Sequence, residues 1–252
     1  MPSQTPSAVL VKTSLVDFPE RVAAACFLSG CNLRCPYCYN AELVFAKKAP
    51  GENSTKTNDE PRFVGLEQIV AHLKKRANVL TGFVISGGEP LCNPEAVHFL
   101  IKEARSLGYK IKLDTNGLFP DRLKALLDDG ALCPDYVALD VKTCPARYSE
   151  LQNQKPAQAD AAKKIVQSIK IVSSLAPSGR EFRTVLYPPL VARSDIEQIA
   201  ALLPKDARWY FARFINSHCL SSDAEKVLPY GDSEESELLE TAQKTIVGAA
   251  IR

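Results

Sequence analysis

The sequence predicts an α/β protein with an open, partial (β/α)6 TIM-like barrel, in which parallel strands alternate with helices. Three observations indicate this fold class. Six short apolar segments with the composition of buried strands alternate with stretches of helical periodicity. The chain has 252 residues, a length common for a single α/β domain, and 46% of them are apolar. Six strands are too few for the closed eight-stranded form.

The predicted strands share a run of apolar and β-branched residues. They are expected at residues 22–29, 83–85, 110–113, 136–140, 182–187 and 208–215. We expect one domain over residues 1–252, with its core at about 20–216 and a C-terminal tail and helix at 217–252. Residues 47–61 contain no apolar side chain larger than alanine or proline, which predicts a solvated loop.

Helices are predicted between these strands from apolar residues at spacings of three and four. The first stripe consists of Leu66, Ile69, Val70, Leu73 and Ala77. The other helices are expected from Asn93, which can cap a helix beginning at Pro94, to Gly108, and at residues 120–129, 158–176 and 233–249. Ser194 and Glu197 have the spacing of a capping box at the start of one more helix.

Composition and charge exclude several classes of protein. The formal net charge of +2 gives no general attraction to nucleic acid or to a membrane surface, so neither is expected as a partner. The first residues lack the basic start and apolar core of a secretory signal, and no stretch approaches the roughly 18 apolar residues that span a bilayer. The eight cysteines are therefore expected as reduced thiols in the cytoplasm.

Three of these cysteines, Cys31, Cys35 and Cys38, lie within eight residues of a loop that contains glycine and proline. Three thiolates at this spacing can hold one face of a metal centre. A cubane iron–sulfur cluster bound in this way has one iron without a protein ligand. A zinc site with four protein ligands is the alternative, with Cys26 or His72 as the fourth. Cys26, however, lies in an apolar run that predicts a buried strand.

Polar and glycine-rich segments follow the carboxyl ends of the predicted strands, where parallel α/β barrels place their functional loops. The first strand leads into the cysteine loop and the second into Gly87-Gly88-Glu89. Later strands end in Asp114-Thr115-Asn116-Gly117 and in Asp140-Val141-Lys142, and the fifth contains Arg183. Each segment alone is common as a turn, a helix cap or a surface pair. Together they predict a binding site at one edge of the sheet.

The cysteine spacing, with Tyr37 before the last cysteine, and the Gly87-Gly88-Glu89 motif resemble the radical S-adenosylmethionine (SAM) superfamily. The resemblance implies a 4Fe–4S cluster on the three cysteines and SAM bound at the open iron, with no further catalytic residue. It implies cofactor contacts by Tyr37, Tyr39, Gly87, Gly88, Glu89, Asp114, Thr115, Asn116, Asp140, Lys142 and Arg183. It also implies a monovalent cation near the SAM carboxylate, held by Asp114, Thr115 and Asp140.

These groups suit different parts of SAM. Without side chains at the two glycines, backbone carbonyls can approach the ammonium group closely. A guanidinium pairs well with a carboxylate. The assignments are Gly87 and Gly88 for the ammonium group, Arg183 for the carboxylate, Lys142 for the carboxylate or the ribose, Asp114 or Asn116 for the ribose hydroxyls and Tyr37 for the adenine.

The segment from Lys12 to Pro19 and the strand-end motifs are similar to glycyl-radical-enzyme activating enzymes, in particular to the activating proteins of anaerobic ribonucleoside-triphosphate reductase. The similarity covers roughly residues 10–215. The chain departs from that branch at three places. It has Glu20 where the branch has glycine, Tyr39 where it has histidine, and Phe214-Ile215-Asn216 where it has Phe-Arg-Pro.

The resemblance implies that SAM is cleaved reductively to methionine and a 5′-deoxyadenosyl radical. That radical would remove a hydrogen atom from a glycine of a partner enzyme, expected to be anaerobic ribonucleoside-triphosphate reductase, with a flavodoxin- or ferredoxin-type electron donor. The alternative is a radical SAM enzyme of a small molecule or RNA, similar to the carboxydeazaguanine synthases. A zinc-binding module without enzymatic activity is the third interpretation.

Overall fold

The computed structural model describes residues 6–45, 63–151 and 160–252. The loop predicted at 47–61 lies outside the described residues. The described residues form two compact units. The first unit lies within Met1–Asn32, Glu42–Thr115 and Lys124–Tyr136, and the second within Leu33–Ala41, Asn116–Leu123 and Val137–Arg252. The single domain over 1–252 stays a prediction.

Strands and helices alternate along the described chain. The strands are β1 (Ala8–Ser14), β2 (Ala23–Leu28), β3 (Phe63–Val64), β4 (Gly82–Gly87), β5 (Lys110–Thr115), β6 (Tyr136–Asp140), β7 (Arg180–Leu186), β8 (Trp209–Arg213) and β9 (Ala249–Ile251). The helices are α1 (Ala41–Val44), α2 (Leu66–Arg76), α3 (Pro94–Ser106), α4 (Pro120–Asp128), α5 (Ala161–Ser173), α6 (Arg193–Ala200) and α7 (Asp232–Gln243). All six predicted strands are confirmed. Among the described helices, none has the length and apolar character needed to cross a membrane.

In the first unit the strand order is β3-β1-β2-β4-β5. β1 runs antiparallel to β2 and β3, whereas β2, β4 and β5 are parallel. Ala25 of β2 pairs with Val84 of β4, which in turn pairs with Lys112 of β5. The face that these residues share packs into an apolar cluster. Its members are Phe18, Ala23, Ala25, Val84 and Tyr136, with Phe27 packed against them.

In the second unit the strand order is β6-β7-β8-β9, and every neighbouring pair is parallel. Phe182, Trp209 and Phe211 lie on one face of these strands and are fully buried. Asp140 pairs with Arg183, so both side chains lie on the opposite face. The sheet therefore places these two charged groups on the face opposite the three rings.

The start of α6 differs from the prediction. The helix begins at Arg193, and the backbone N–H of Ala192 donates to Asp195 Oδ2 over 2.8 Å. The capping box predicted for Ser194 and Glu197 is therefore wrong. Asp195 takes the capping role instead. Its buried carboxylate also accepts from Arg147 Nη1 at 3.2 Å.

The C-terminal helix predicted at 233–249 is too long. It ends at Gln243, and the chain forms β9 from Ala249 to Ile251. The residues between contain three β-branched side chains and a glycine, at positions 245–248, which are poor helix formers. β9 then pairs in parallel with β8. The tail predicted at 217–252 thus contributes a strand to the second unit.

Glu20 has a φ of 62°, in the left-handed region that a non-glycine residue occupies at a cost of about 1–2 kcal/mol. We predict that Glu20→Gly raises the free energy of unfolding by roughly 0.5 kcal/mol, because relief of this strain exceeds the added entropy of the unfolded chain. Urea denaturation of the metal-free protein measures the change. Glu20→Ala keeps the strain and serves as the control. An equal gain in both variants would contradict the prediction.

Candidate functional site

The start of the cysteine loop is held by backbone hydrogen bonds within the first unit. The N–H of Gly30 donates to the carbonyl of Leu43 at 2.7 Å, and the N–H of Cys31 donates to the carbonyl of Val44 at 3.0 Å. These carbonyls belong to the last residues of α1, where a short helix leaves acceptors unsatisfied. Cys31 is therefore fixed in its position by backbone contacts, and its side chain remains partly exposed.

The other two predicted cluster ligands belong to the second unit. The N–H of Cys38 donates to the carbonyl of Cys35 at 3.1 Å, which closes a turn around Tyr37. Cys35 is buried and Cys38 is partly exposed. The ring of Tyr37 packs against the ring of Tyr187, with centroids 4.9 Å apart. Burial raises the pKa of Tyr37 well above its ordinary value, and the charge of Cys35 adds to the shift.

Asp140 lies between two cations at the ends of β6 and β7. Its Oδ1 is 2.7 Å from Arg183 Nε, and its Oδ2 is 2.8 Å from Lys142 Nζ. Burial alone would raise the pKa of Asp140, but Arg183 and Lys142 outweigh burial and hold this pKa well below its ordinary range. Arg183 also contacts a second carboxylate, since its Nη1 lies 4.0 Å from Glu181 Oε1. The two cations can pair with an anionic ligand.

Lys142 also connects this charged group to the cysteine loop. Burial alone would lower the pKa of Lys142, but Asp140 and then Cys35 outweigh burial and raise it. The backbone N–H of Lys142 donates to the hydroxyl of Tyr148 at 2.9 Å. The ammonium group of Lys142 can therefore balance negative charge at Cys35.

The two glycines at the end of β4, Gly87 and Gly88, allow their backbone to contact the backbone of Leu28 and Gly30. Gly87 has a φ of 129°, and a Cβ there would overlap the backbone of Leu28. A Cβ at Gly88 would overlap the carbonyl of Gly30 and lie 2.9 Å from the carbonyl oxygen of Leu43. A side chain at either position is therefore excluded. The glycines hold the end of β4 against the start of the cysteine loop.

Glu89 is fully buried and connects the ends of β4 and β5. Its Oε1 accepts from the N–H of Leu91 at 3.0 Å and from the hydroxyl of Thr115 at 2.8 Å. Its own N–H donates to the carbonyl of Gly30 at 2.9 Å. The carboxylate thus has partners within the protein, and a contact of Glu89 with a ligand stays a prediction.

The remaining predicted site residues also have partners in the protein. Asp114 Oδ1 is 2.5 Å from Lys112 Nζ. Asn116 Oδ1 accepts from the N–H of Leu118 at 3.1 Å, a turn contact of the kind that asparagine often makes. The structure thus brings together Glu89 with Thr115, and elsewhere Asp140 with Lys142 and Arg183. Their roles as ligands stay predictions. Lys112 was not among the predicted residues, although its position two before Asp114 on a strand places both on one face.

Two departures from the expected branch contact each other. The hydroxyl of Tyr39 accepts a hydrogen bond from the N–H of Ile215. Phe214 packs edge-on against Tyr187, with ring centroids 4.8 Å apart, and Tyr187 packs in turn against Tyr37. The residues that follow β8 are therefore tied to the cysteine loop through the backbone N–H of Ile215 and the ring of Phe214.

The donor set fits an iron–sulfur cluster. Three thiols lie in one short loop, a cation acts on Cys35, and the buried hydroxyl of Tyr37 has no hydrogen-bond partner among the described residues. Within those same residues, no group of three or more His, Cys, Asp or Glu side chains surrounds a position for one metal ion. A cubane cluster does not require three side chains around one metal position, because each cysteine binds a separate iron.

The chain is similar to known proteins both in sequence family and in fold. A family model described as the Radical SAM superfamily matches residues 26–202. A protein of Methanocaldococcus jannaschii, provisionally named a glycyl-radical enzyme activating enzyme, is 28% identical over 243 residues, which are 96% of this chain and 94% of that protein. A 7-carboxy-7-deazaguanine synthase of Hyperthermus butylicus is 32% identical over 120 residues, 48% of this chain and 43% of that protein.

Among solved structures, QueE from Escherichia coli superposes with a TM-score of 0.54 at 16% identity, and covers 99% of this chain and 94% of that chain. At this level of identity the likeness concerns the fold alone. It confirms the predicted fold class, an α/β fold with a partial TIM-like barrel.

Gly88→Ala is predicted to destabilise the protein by about 1–3 kcal/mol, because the new methyl group meets backbone atoms that cannot move aside cheaply. It should also lower the iron bound after anaerobic reconstitution, since the start of the cysteine loop must shift. Gly130→Ala is the matched control, because a Cβ there meets nothing within 4 Å. Urea denaturation and iron analysis measure both effects. Equal stability and iron content in the two variants would refute the close backbone packing.

Asp140→Asn is predicted to lower the free energy of unfolding of the metal-free protein by about 1–3 kcal/mol at neutral pH, because two cations lose their carboxylate. The folded-state pKa of Asp140 is depressed, so its contribution is complete above the unfolded-state pKa of about 3.9 and is lost as the pH falls through the lower folded-state value. The difference between parent and variant should therefore shrink on acidification. A difference that stays constant down to about pH 3 would contradict this account.

Proposed function

Since the chain belongs to the radical SAM superfamily, we propose that it cleaves SAM reductively and uses the 5′-deoxyadenosyl radical to generate a glycyl radical on a partner enzyme. The observation that carries the second part is the match to the M. jannaschii protein, which extends over nearly the whole of both chains. The matches to deazaguanine synthases cover less than half of this chain. The partner proposed is anaerobic ribonucleoside-triphosphate reductase, on the similarity of residues 12–19 and the strand-end motifs.

Cys31, Cys35 and Cys38 would hold a 4Fe–4S cluster, and the chain leaves the fourth iron to SAM. When bound, the cluster and SAM supply the electron and the carbon radical. The partly buried loop limits access of water to the cysteines. The ammonium group of Lys142 balances the negative charge of the Cys35 thiolate. A flavodoxin- or ferredoxin-type protein is proposed as the electron donor.

Binding of SAM is proposed to use the polar groups at the strand ends. Arg183 and Lys142 attract the carboxylate, and Asp140 holds both cations in a fixed orientation through contacts of 2.7 and 2.8 Å. The backbone at Gly87 and Gly88 receives the ammonium group. The buried hydroxyl of Tyr37 is suited to a polar atom of the ligand, because burial without a hydrogen bond is costly. A monovalent cation near the carboxylate stays a prediction.

A second candidate is an enzyme that acts on a small molecule, as the 7-carboxy-7-deazaguanine synthases do. The 32% identity to the H. butylicus protein over 120 residues favours it. The two candidates share SAM cleavage and differ in the acceptor of the radical. They are therefore separated by the product and not by the cofactors.

We predict that the anaerobically reconstituted protein, given reductant, SAM and the reductase, releases 5′-deoxyadenosine and methionine and produces a doublet glycyl-radical signal in electron paramagnetic resonance. Cys35→Ala should reduce SAM cleavage to background. Cys26→Ala is the control, because Cys26 is a buried residue of β2 outside the cluster motif, and it should retain activity. Formation of 7-carboxy-7-deazaguanine when the precursor of that compound replaces the reductase in the assay, without a protein radical, would favour the second candidate. Undiminished SAM cleavage by Cys35→Ala would refute the proposed cluster site.

A further inference from the structure

Lys112 is a buried lysine in a largely apolar part of the first unit. Its side chain is 2% exposed, and its Nζ lies 2.5 Å from Asp114 Oδ1. In the parallel register Lys112 pairs with Val84, a member of the apolar cluster, and Val84 pairs with Ala25. Directly paired residues share a face of the sheet, so the stem of Lys112 lies beside the apolar cluster and only its ammonium group has a charged partner.

The stability of the fold does not account for this pair. Removing two charges from water is costly, and apolar side chains of similar volume often serve stability as well or better. A methionine at position 112 would extend the apolar face without that cost. The ammonium group is therefore best explained by a need for a positive charge at Asp114, which stands at the carboxyl end of β5 among the proposed ligand-binding groups.

The groups predicted to hold a monovalent cation do not fit one. Asp114 already has the Lys112 ammonium at 2.5 Å. The hydroxyl of Thr115 donates to Glu89 Oε1 at 2.8 Å. In the second unit, Asp140 is neutralised by two cations, as described above. An added cation at Asp114 would face the positive charge of Lys112 in a buried environment, where like charges repel strongly.

We infer that the Lys112 ammonium is a built-in cation that takes the place of the monovalent cation, and that it neutralises Asp114 so that the anionic carboxylate of SAM can bind. This inference rests on the proposed function, because SAM is the ligand concerned. Lys112 is a positioning residue here, since it acts through Asp114. It follows that SAM binding by this chain is independent of potassium and sodium ions.

The test is the affinity for SAM of anaerobically reconstituted protein of verified iron content, measured by calorimetry in potassium chloride and in choline chloride. The unsubstituted chain should bind SAM with affinities that differ by less than about twofold between the salts. Lys112→Met should bind at least about tenfold more weakly in choline chloride and recover most of the loss in potassium chloride, since a small cation can then occupy Asp114. Lys110→Met is the control on the same strand, because Lys110 is 52% exposed and pairs with Asp135. It should bind as the parent does in both salts.

The double variant Lys112→Met/Asp114→Asn removes both charges and covers the case in which the single variant does not fold. If Lys112 serves to neutralise Asp114, Lys112 is no longer needed once Asp114 is uncharged, so the double variant should bind SAM within about threefold of Asp114→Asn alone in either salt. Circular dichroism during heating checks that each variant is folded.

Four outcomes would overturn the inference. These are potassium-dependent binding by the unsubstituted chain, parental affinity of Lys112→Met in choline chloride, weak binding by Lys112→Met that potassium does not restore, and binding by a folded double variant that is at least about tenfold weaker than that of Asp114→Asn. In each of these cases SAM cleavage by the parent would leave the proposed function intact. Absence of SAM binding by the parent in both salts would overturn the proposed function and this inference together.

Discussion

The buried carboxylate of Glu89 is the interaction on which the first unit's part of the site depends. A carboxylate without exposure to water needs hydrogen-bond donors, and here the N–H of Leu91 and the hydroxyl of Thr115 both donate to Glu89 Oε1. The backbone N–H of Glu89 also donates to the carbonyl of Gly30. One residue therefore fixes the end of β4 relative to the end of β5 and to the start of the cysteine loop. No residue larger than glycine fits at position 88, because the backbone there is in contact with the backbone of Gly30.

Charge balance within the protein is the common feature of the two units. In the first unit the Lys112 ammonium neutralises Asp114, and in the second Asp140 lies between Arg183 and Lys142. Pre-paired charges of this kind are held in fixed orientations and need little reorganisation when a ligand arrives. They suit a ligand such as SAM, which carries both signs of charge within a few bonds. Binding of a ligand that carries both signs of charge requires protein groups of each sign at defined positions.

The sequence was sufficient for β2 and β4 to β8 and for the segments at their ends, because apolar runs that stop at glycine or at a charged residue reflect burial directly. It did not predict β1, β3 or β9. It was not sufficient for contacts between residues far apart in the chain. The bond from Ile215 to Tyr39 and the buried Glu89 depend on packing that no local pattern encodes. Lys112 was missed because lysine in a strand is normally an exposed residue. The sequence also did not predict that Glu20 has a positive φ, a conformation that glycine adopts at lower cost.

We propose that Cys31, Cys35 and Cys38 leave one iron of a 4Fe–4S cluster for SAM. The most direct measurement is the electron paramagnetic resonance spectrum of the reduced, anaerobically reconstituted protein with and without SAM. Binding of SAM at the open iron changes the electronic environment of the cluster, so the account predicts a cluster signal whose g values shift on addition of SAM. A cluster signal that SAM leaves unchanged, or a reconstituted protein without any cluster signal, would contradict it.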